Sequence, residues 1–224
     1  MPRRPGRYAS SSVAGLFADA AGGEALASGI HLWRGVLDER AYLDGIAVIA
    51  AAAPFRSMMT PGGRPMSVAM SNCGALGWIS DAAGYRYSTL DPASGRPWPA
   101  IPEAWLADAA RLATGSGYPD FRPDACLINR YAVGARMTAH QDRNEADFSQ
   151  PIVSLSLGLP ATFAFHGPSR SGRATTVELA SGDALVWGGE ARLFYHAVRP
   201  VRAGSHPLAG AFRYNITMRR AAHQ

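Results

Sequence analysis

Two rhythms of apolar and polar positions run along the chain. From Asp38 to Pro54 apolar residues recur at helical spacing, at Tyr42, Ile46, Ile49 and Ala50. Asp38 stands where an N-cap belongs and Pro54 ends the run, which predicts a core-packing helix over 39–53. A second helix is predicted from Pro102, with Glu103 in its first turn and a stripe of Trp105, Leu106, Ala109, Leu112 and Ala113. The glycine-containing stretch 115–117 stops it. After Asp124 the period becomes two. Short strands are predicted over 126–131, 137–142, 151–158, 161–165, 174–179, 183–187 and 212–219, with glycine-rich punctuation between them. The runs 29–35 and 193–198 also read as strands. Many short strands separated by turns predict a mainly β fold with flanking helices, an antiparallel barrel or jelly roll covered on one side by the two helices.

Residues 55–102 have a different texture. Methionines, prolines, glycines and aromatics are interleaved, and a strand is expected only at 67–70, with turns elsewhere. Two readings stand side by side: a functional lid whose aromatics stack on flat ligands, or a packed, loop-rich subdomain. There is no internal repeat. One domain is expected over 13–224, preceded by a flexible basic tail at 1–12, with a short helical turn near 15–20.

Composition narrows the function classes. The chain has 224 residues, 47% hydrophobic and 17% charged, enough for one large core. Its net charge is +5 and its pI about 9.6, which suits a polyanionic partner. All 22 basic residues are arginine. The lack of lysine excludes Schiff-base chemistry and a Walker-A P-loop. Two cysteines, Cys73 and Cys126, make neither a metal pattern nor a disulfide framework and fit a reduced, cytoplasmic setting. No apolar run reaches the length of a membrane span, and the basic start is not followed by the apolar stretch of a signal peptide.

Candidate chemistry lies in Met137-Thr138-Ala139-His140-Gln141-Asp142. Residues two apart on a strand share a face, so His140 and Asp142 can aim at one point. His196 is the best third donor. Two histidines and one carboxylate are the facial triad of non-haem Fe(II) oxygenases. A His-x-Asp alone is a weak signal. The last strand places Arg213, Asn215, Thr217 and Arg219 on one face. Turned inward, that face needs an anionic partner, and two guanidiniums suit the two ends of a small dicarboxylate. From period alone an edge strand with its polar face in water is the simpler reading.

Taken in order, these features resemble the AlkB family of DNA alkylation-repair dioxygenases, which use Fe(II) and 2-oxoglutarate on a double-stranded β-helix. The resemblance is carried by Thr60-Pro61-Gly62-Gly63, Met66 to Met70, Pro119-Asp120-Phe121, Pro123 to Tyr131, His140-Gln141-Asp142, Ser156 to Pro160, Val186 to Glu190, Arg192 to His196 and Arg213-Tyr214-Asn215. It implies that His140, Asp142 and His196 hold Fe(II) and that O2 is a co-substrate. Arg213 and Arg219 would receive the two carboxylates of 2-oxoglutarate, and Asn129, Arg130, Tyr131, Asn215 and Thr217 would complete that site. Within a nucleotide-recognition lid at 55–102, Trp78 and Tyr85 would contact the damaged nucleotide, with Tyr87 nearby. Thr60, Met66 and Met70 would shape the cleft, and Arg170 and Arg143 would contact the substrate. The implied reaction is demethylation of 1-methyladenine- and 3-methylcytosine-type bases in DNA, with RNA a second candidate, by a monomer without membrane contact. Where close relatives carry an Asp that contacts the exocyclic amine of the base, this chain has Asn144; Glu145 follows and is a candidate to compensate. The alternatives are a 2-oxoglutarate oxygenase acting on protein or a small molecule, and a catalytically dead nucleic-acid-binding module.

Overall fold

The computed structural model describes residues 23–222. The expected basic tail over 1–12 and the turn near 15–20 lie outside the described residues. In chain order the elements are β1 (Glu24–Ala27), β2 (Ile30–Trp33), α1 (Glu39–Ala52), β3 (Arg56–Met59), β4 (Pro65–Gly74), β5 (Gly77–Asp81), β6 (Gly84–Ser88) and α2 (Glu103–Gly115). They continue with β7 (Ala125–Ala132), β8 (Met137–His140), β9 (Ile152–Gly158), β10 (Ala161–Gly167), β11 (Thr175–Leu179), β12 (Ala184–Trp187), β13 (Tyr195–Val198) and β14 (Phe212–Arg219).

Eight strands form a large sheet in the order β1-β2-β12-β9-β14-β7-β4-β3, and four form a smaller one in the order β11-β10-β13-β8. All the paired strands run antiparallel. The result is a jelly roll, as the strand count and turn punctuation predict. Alternation divides its core in two. Tyr42, Ile46 and Ile49 of α1 and Trp105, Ala109 and Leu112 of α2 pack on Ile128, Val153, Leu155, Ile216 and Met218, on one face of the large sheet. Leu127, Tyr131, Phe163, Phe165, Trp187 and Val198 fill the space between the sheets. Both helices follow their sequence signals: the Asp38 carboxylate accepts from the Ala41 amide at 3.1 Å, and Tyr42 stacks on Trp105 at 5.1 Å.

Two features position the site. First, β14 is not an edge strand. It pairs with β7 on one side and β9 on the other, so the whole row Arg213, Asn215, Thr217 and Arg219 is buried between the sheets. Gly158 ends β9 at φ 80°, where a Cβ would stand 2.4 Å from the Phe212 carbonyl; only glycine keeps the two strands paired there. Second, residues 55–102 hold more regular structure than the expected turns. β4 runs for ten residues, β3 pairs with it, and β5 and β6 form a separate two-stranded sheet. The glycines and prolines that suggested turns sit at the ends of these strands. The Asn72 side chain fixes the start of the hairpin: its amide donates to the Trp78 carbonyl and accepts from the Trp78 amide, each at 3.0 Å. Periodicity does not reveal such a side-chain bridge.

Candidate active site

β8 ends at His140, and Asp142 lies two residues beyond it, so the two share a direction without both belonging to the strand as expected. His196 is on β13, paired across from His140. The expected strand over 193–198 begins only at Tyr195, because a 3-10 turn at Gly189–Ala191 precedes it. His140 Nε2 and His196 Nε2 are each 3.8 Å from the Asp142 carboxylate, and the three donor atoms all lie within 4.8 Å of one another.

The local backbone sets which imidazole nitrogen is free. His140 Nδ1 is 2.9 Å from the Thr138 carbonyl and His196 Nδ1 is 3.0 Å from the Phe194 carbonyl. Each Nδ1–H therefore donates to a carbonyl two residues back, leaving an Nε2 lone pair aimed at the cluster. Phe163 stacks on the His196 ring at 5.6 Å, and Trp187 meets it edge-on at 5.2 Å. Burial and the neighbouring His140 push His196 down to about 4, against the pull of Asp142, so it is neutral at physiological pH. Burial pushes the Asp142 carboxyl up, but Arg219, His196, His140 and Arg192 outweigh it and hold the group well below the usual carboxylate range. Two imidazole nitrogens and one carboxylate oxygen are the donor set Fe(II) takes, and they leave positions open.

Beside this cluster lies the buried polar row. Arg219 donates to Asp142 Oδ2 from Nε at 3.0 Å and from Nη2 at 2.8 Å. Asn215 donates to Ser154 Oγ at 2.7 Å and accepts from Thr217 Oγ1 at 2.9 Å. Asn129 donates weakly to Asn215 at 3.5 Å, and its own buried Oδ1 lacks a donor. Tyr131 is buried beside Arg213; burial pushes its phenol up to about 12, against the pull of the Arg213 guanidinium. Arg213 is 1% exposed. It has one good hydrogen bond, to Ser156 Oγ at 3.0 Å, and its Nε lacks a partner. A buried guanidinium without a carboxylate is costly unless an anion joins it. The deficit at Arg213 fits a small keto-diacid, whose carboxylate oxygens are acceptors for its unpaired N–H.

A cavity of about 1060 Å³ opens onto both groups. His140, Asp142 and His196 line it, with Asn129, Tyr131, Asn215, Thr217 and Arg219 of the polar row. Arg213 is not among them: it is buried in the polar row next to the cavity, behind the lining side chains. Thr60, Met66, Met70, Trp78, Tyr85, Arg143, Asn144 and Arg170 of the expected substrate set line the cavity too. Trp78 stacks on Tyr85 at 5.6 Å, and Trp78 Nε1–H donates to Asn144 Oδ1 at 3.4 Å.

Three assignments are corrected, those of Arg130, Tyr87 and Glu145. Arg130 points to the opposite face of β7 from Asn129 and Tyr131, where it packs over Phe55 at 4.6 Å and Phe212 at 5.2 Å; it is no co-substrate ligand. Tyr87 turns away from the cavity, and its hydroxyl donates to Glu145 Oε1 at 2.5 Å. Glu145 is buried and bonded to Arg192 Nη2 at 3.2 Å, with Arg219 Nε 3.6 Å away, so it cannot stand in for a substrate-facing acid. One functional residue was missed. Arg192 is 2% exposed and donates to the Asp142 and Gln150 carbonyls at 2.8 and 2.9 Å as well as to Glu145. It lies in the stretch from Arg192 to His196 that carries the family resemblance, but its sequence neighbours do not reveal the buried acid it meets. Arg64 and Arg136 also line the cavity.

Comparison with known proteins agrees with this geometry. Residues 29–219 match the family model of the 2OG-Fe(II) oxygenase superfamily. The chain is 53% identical over 182 residues to the alpha-ketoglutarate-dependent dioxygenase AlkB of Salmonella typhimurium, covering 81% of this chain and 84% of that protein. It is 55% identical over 173 residues to AlkB of Escherichia coli, covering 77% and 80%. Among solved structures, OsALKBH1 superimposes with a TM-score of 0.73 at 26% identity, over 88% of this chain and 99% of that one. The donor triad, the buried arginine row and these matches over most of the length converge: the chain belongs to the AlkB family of the 2OG-Fe(II) oxygenase superfamily and is an Fe(II)- and 2-oxoglutarate-dependent dioxygenase.

Proposed function

We propose that the protein removes N-methyl groups oxidatively from the bases of DNA, with RNA as a second substrate, acting on lesions such as 1-methyladenine and 3-methylcytosine. One observation carries the reading: the donor triad and the stacked Trp78–Tyr85 pair line the same cavity. A methyl on a base stacked against an indole can thereby sit near the metal.

In this reading His140, Asp142 and His196 hold iron by two nitrogens and one carboxylate oxygen. When bound, iron and its co-substrates supply the oxidation of the N-methyl carbon, with formaldehyde, succinate and CO2 as products. The chain supplies the rest. Arg213 and Arg219 seat the two carboxylates of 2-oxoglutarate, and Asn129, Tyr131, Asn215 and Thr217 orient it. Phe163 and Trp187 pack against His196 and keep water from that side. The segment 55–102 acts as the nucleotide-recognition lid, with the β5–β6 hairpin bringing Trp78 and Tyr85 to the base. The target methyl is inside a duplex, so the base must be single-stranded or flipped. Arg143 and Arg170 at the cavity wall neutralise phosphates, which makes binding salt-dependent. The protein acts as a monomer in the cytoplasm. No helix among the described residues is long and apolar enough to cross a membrane.

The test is incubation with iron, ascorbate, 2-oxoglutarate and methylated oligonucleotides. Loss of methyl groups supports the proposal. Succinate formation without repair moves the activity to a protein or small-molecule substrate, and no turnover of either kind overturns it.

A further inference from the structure

The β5–β6 hairpin carries the stacked Trp78–Tyr85 pair but belongs to neither of the two larger sheets. β6 covers one edge of β5, where Trp78 stands opposite Tyr87. Among the described residues the other edge of β5 has no strand beside it. There the backbone N–H and carbonyl of Trp78 are both taken by one side chain, that of Asn72 on β4.

The orientation of that bridge is dictated. A peptide N–H can only donate and a peptide carbonyl can only accept, so Asn72 Oδ1 faces the Trp78 N–H and Nδ2 faces the Trp78 carbonyl, each at 3.0 Å. A primary amide sets one acceptor and one donor side by side, the pattern a neighbouring strand offers. Asn72 is 1% exposed and pairs across from Leu127 of β7, inside the large sheet, so water cannot take its place. Trp98 packs at the same point: a Cβ on Gly77 would stand 2.3 Å from its ring, and its Nε1–H donates to the Ser88 carbonyl at 2.9 Å. Ser80 Oγ, bonded to the Met59 carbonyl at 2.6 Å, and Tyr87, bonded to Glu145, tie down other residues of the hairpin. Asn72 grips the backbone of Trp78 itself. A lone two-stranded hairpin is marginal in water, so such ties decide where it stands.

We infer that Asn72 is a positioning residue for the base: it fixes the backbone of Trp78, and through it the indole that lines the cavity, without lining the cavity itself. The inference rests on the reading of Trp78 as the residue that meets the base, and names what that contact depends on. With its backbone held, Trp78 has only its side-chain torsions left to order when a base stacks on it. Releasing the bridge frees the strand as well, and the cost falls on oligonucleotide binding rather than on the chemistry at the metal.

The experiment measures kcat and KM of the iron-loaded full chain on a single-stranded 3-methylcytosine oligonucleotide, together with the KM for 2-oxoglutarate. The parent, Asn72→Ala, Trp78→Ala and the double variant are compared. Asn72→Ala is expected to raise the oligonucleotide KM by about tenfold, the factor set by one or two lost hydrogen bonds, with kcat and the 2-oxoglutarate KM unchanged. In the Trp78→Ala background the same change is expected to add less than about twofold, because the residue through which it acts is gone. Asn72→Asp keeps the size of the side chain but sets a carboxylate oxygen against the Trp78 carbonyl. It is expected to raise the oligonucleotide KM at least as much, and it carries the test if Asn72→Ala does not fold. An oligonucleotide KM unmoved by either substitution, a rise of the same size in both backgrounds, or a 2-oxoglutarate KM that rises in step overturns the inference and leaves demethylation intact. An oligonucleotide KM unmoved in Trp78→Ala takes Trp78 away from the base and the inference with it. Succinate release with no base repaired by the parent removes the demethylase reading and the inference together.

Discussion

Glu145→Gln tests the buried charge network that holds the metal-binding carboxylate. Glu145 and Arg192 are each only 2% exposed in their side chains, and Arg219, 6% exposed, is shared between Glu145 and Asp142. Glutamine keeps the shape and can still accept from Tyr87, but the cluster then holds two guanidiniums against the single charge of Asp142. Removing one partner of a buried ion pair costs about 3–5 kcal/mol because the other charge stays behind unpaired; the retained amide places Glu145→Gln near 3. For a chain of this length each kcal/mol moves Tm by roughly 2–4 °C, so a fall of about 6–12 °C is expected. Tyr87→Phe removes one hydrogen bond to a charged acceptor and should cost about 1.5–3 kcal/mol. Since both changes act on one contact, the double variant should be less destabilised than the sum by about 1 kcal/mol. Urea unfolding of the metal-free protein, followed by tryptophan fluorescence and circular dichroism, measures all three. A cost below about 1 kcal/mol for Glu145→Gln, or strict additivity, would show that the network holds nothing in place.

Other outcomes follow from the same geometry. His140→Ala should abolish iron binding, read by equilibrium dialysis, while its Tm changes little, because the side chain is 36% exposed; retention of stoichiometric iron would remove His140 from the ligand set. Arg213→Met should raise the 2-oxoglutarate KM by about tenfold or more, in line with a charged hydrogen bond, and should not unfold the protein, since it relieves a buried charge that has no carboxylate partner; an unchanged KM would exclude the residue from that role. Arg130→Ala should leave the 2-oxoglutarate KM unchanged, because the guanidinium lies over Phe55 and Phe212 on the far face of β7.

The donor triad was legible because the chemistry is local. A histidine and an acid two apart read directly as one aim, and His196 falls opposite His140 once β13 pairs with β8. The two helices were legible for the same reason, with cap, stripe and stop all within one segment. The meaning of β14 was not. Period two separates its polar and apolar faces but cannot say which is wet; its position between β7 and β9 decides that. Arg130 was drawn into the site by neighbours in sequence that the pleat sends the other way. Tyr87 and Glu145 meet across 58 residues, and Glu145 meets Arg192 across 47, so no window of sequence contains that contact. The β5–β6 hairpin was hidden because its strands are short, glycine-bounded and pinned by the Asn72 side chain rather than by an alternating apolar pattern.

The proposed demethylation requires that His140, Asp142 and His196 hold the iron at which O2 and 2-oxoglutarate would supply the oxidation of a methyl carbon on a base in the adjoining cavity. Mass spectrometry of singly methylated oligonucleotides, with formaldehyde and succinate quantified in the same vessel, tests it most directly. The account predicts restoration of the unmodified base with one formaldehyde and at least one succinate per methyl lost, and none of these products with His140→Ala. Methyl loss without added 2-oxoglutarate, or undiminished repair by His140→Ala, would contradict it.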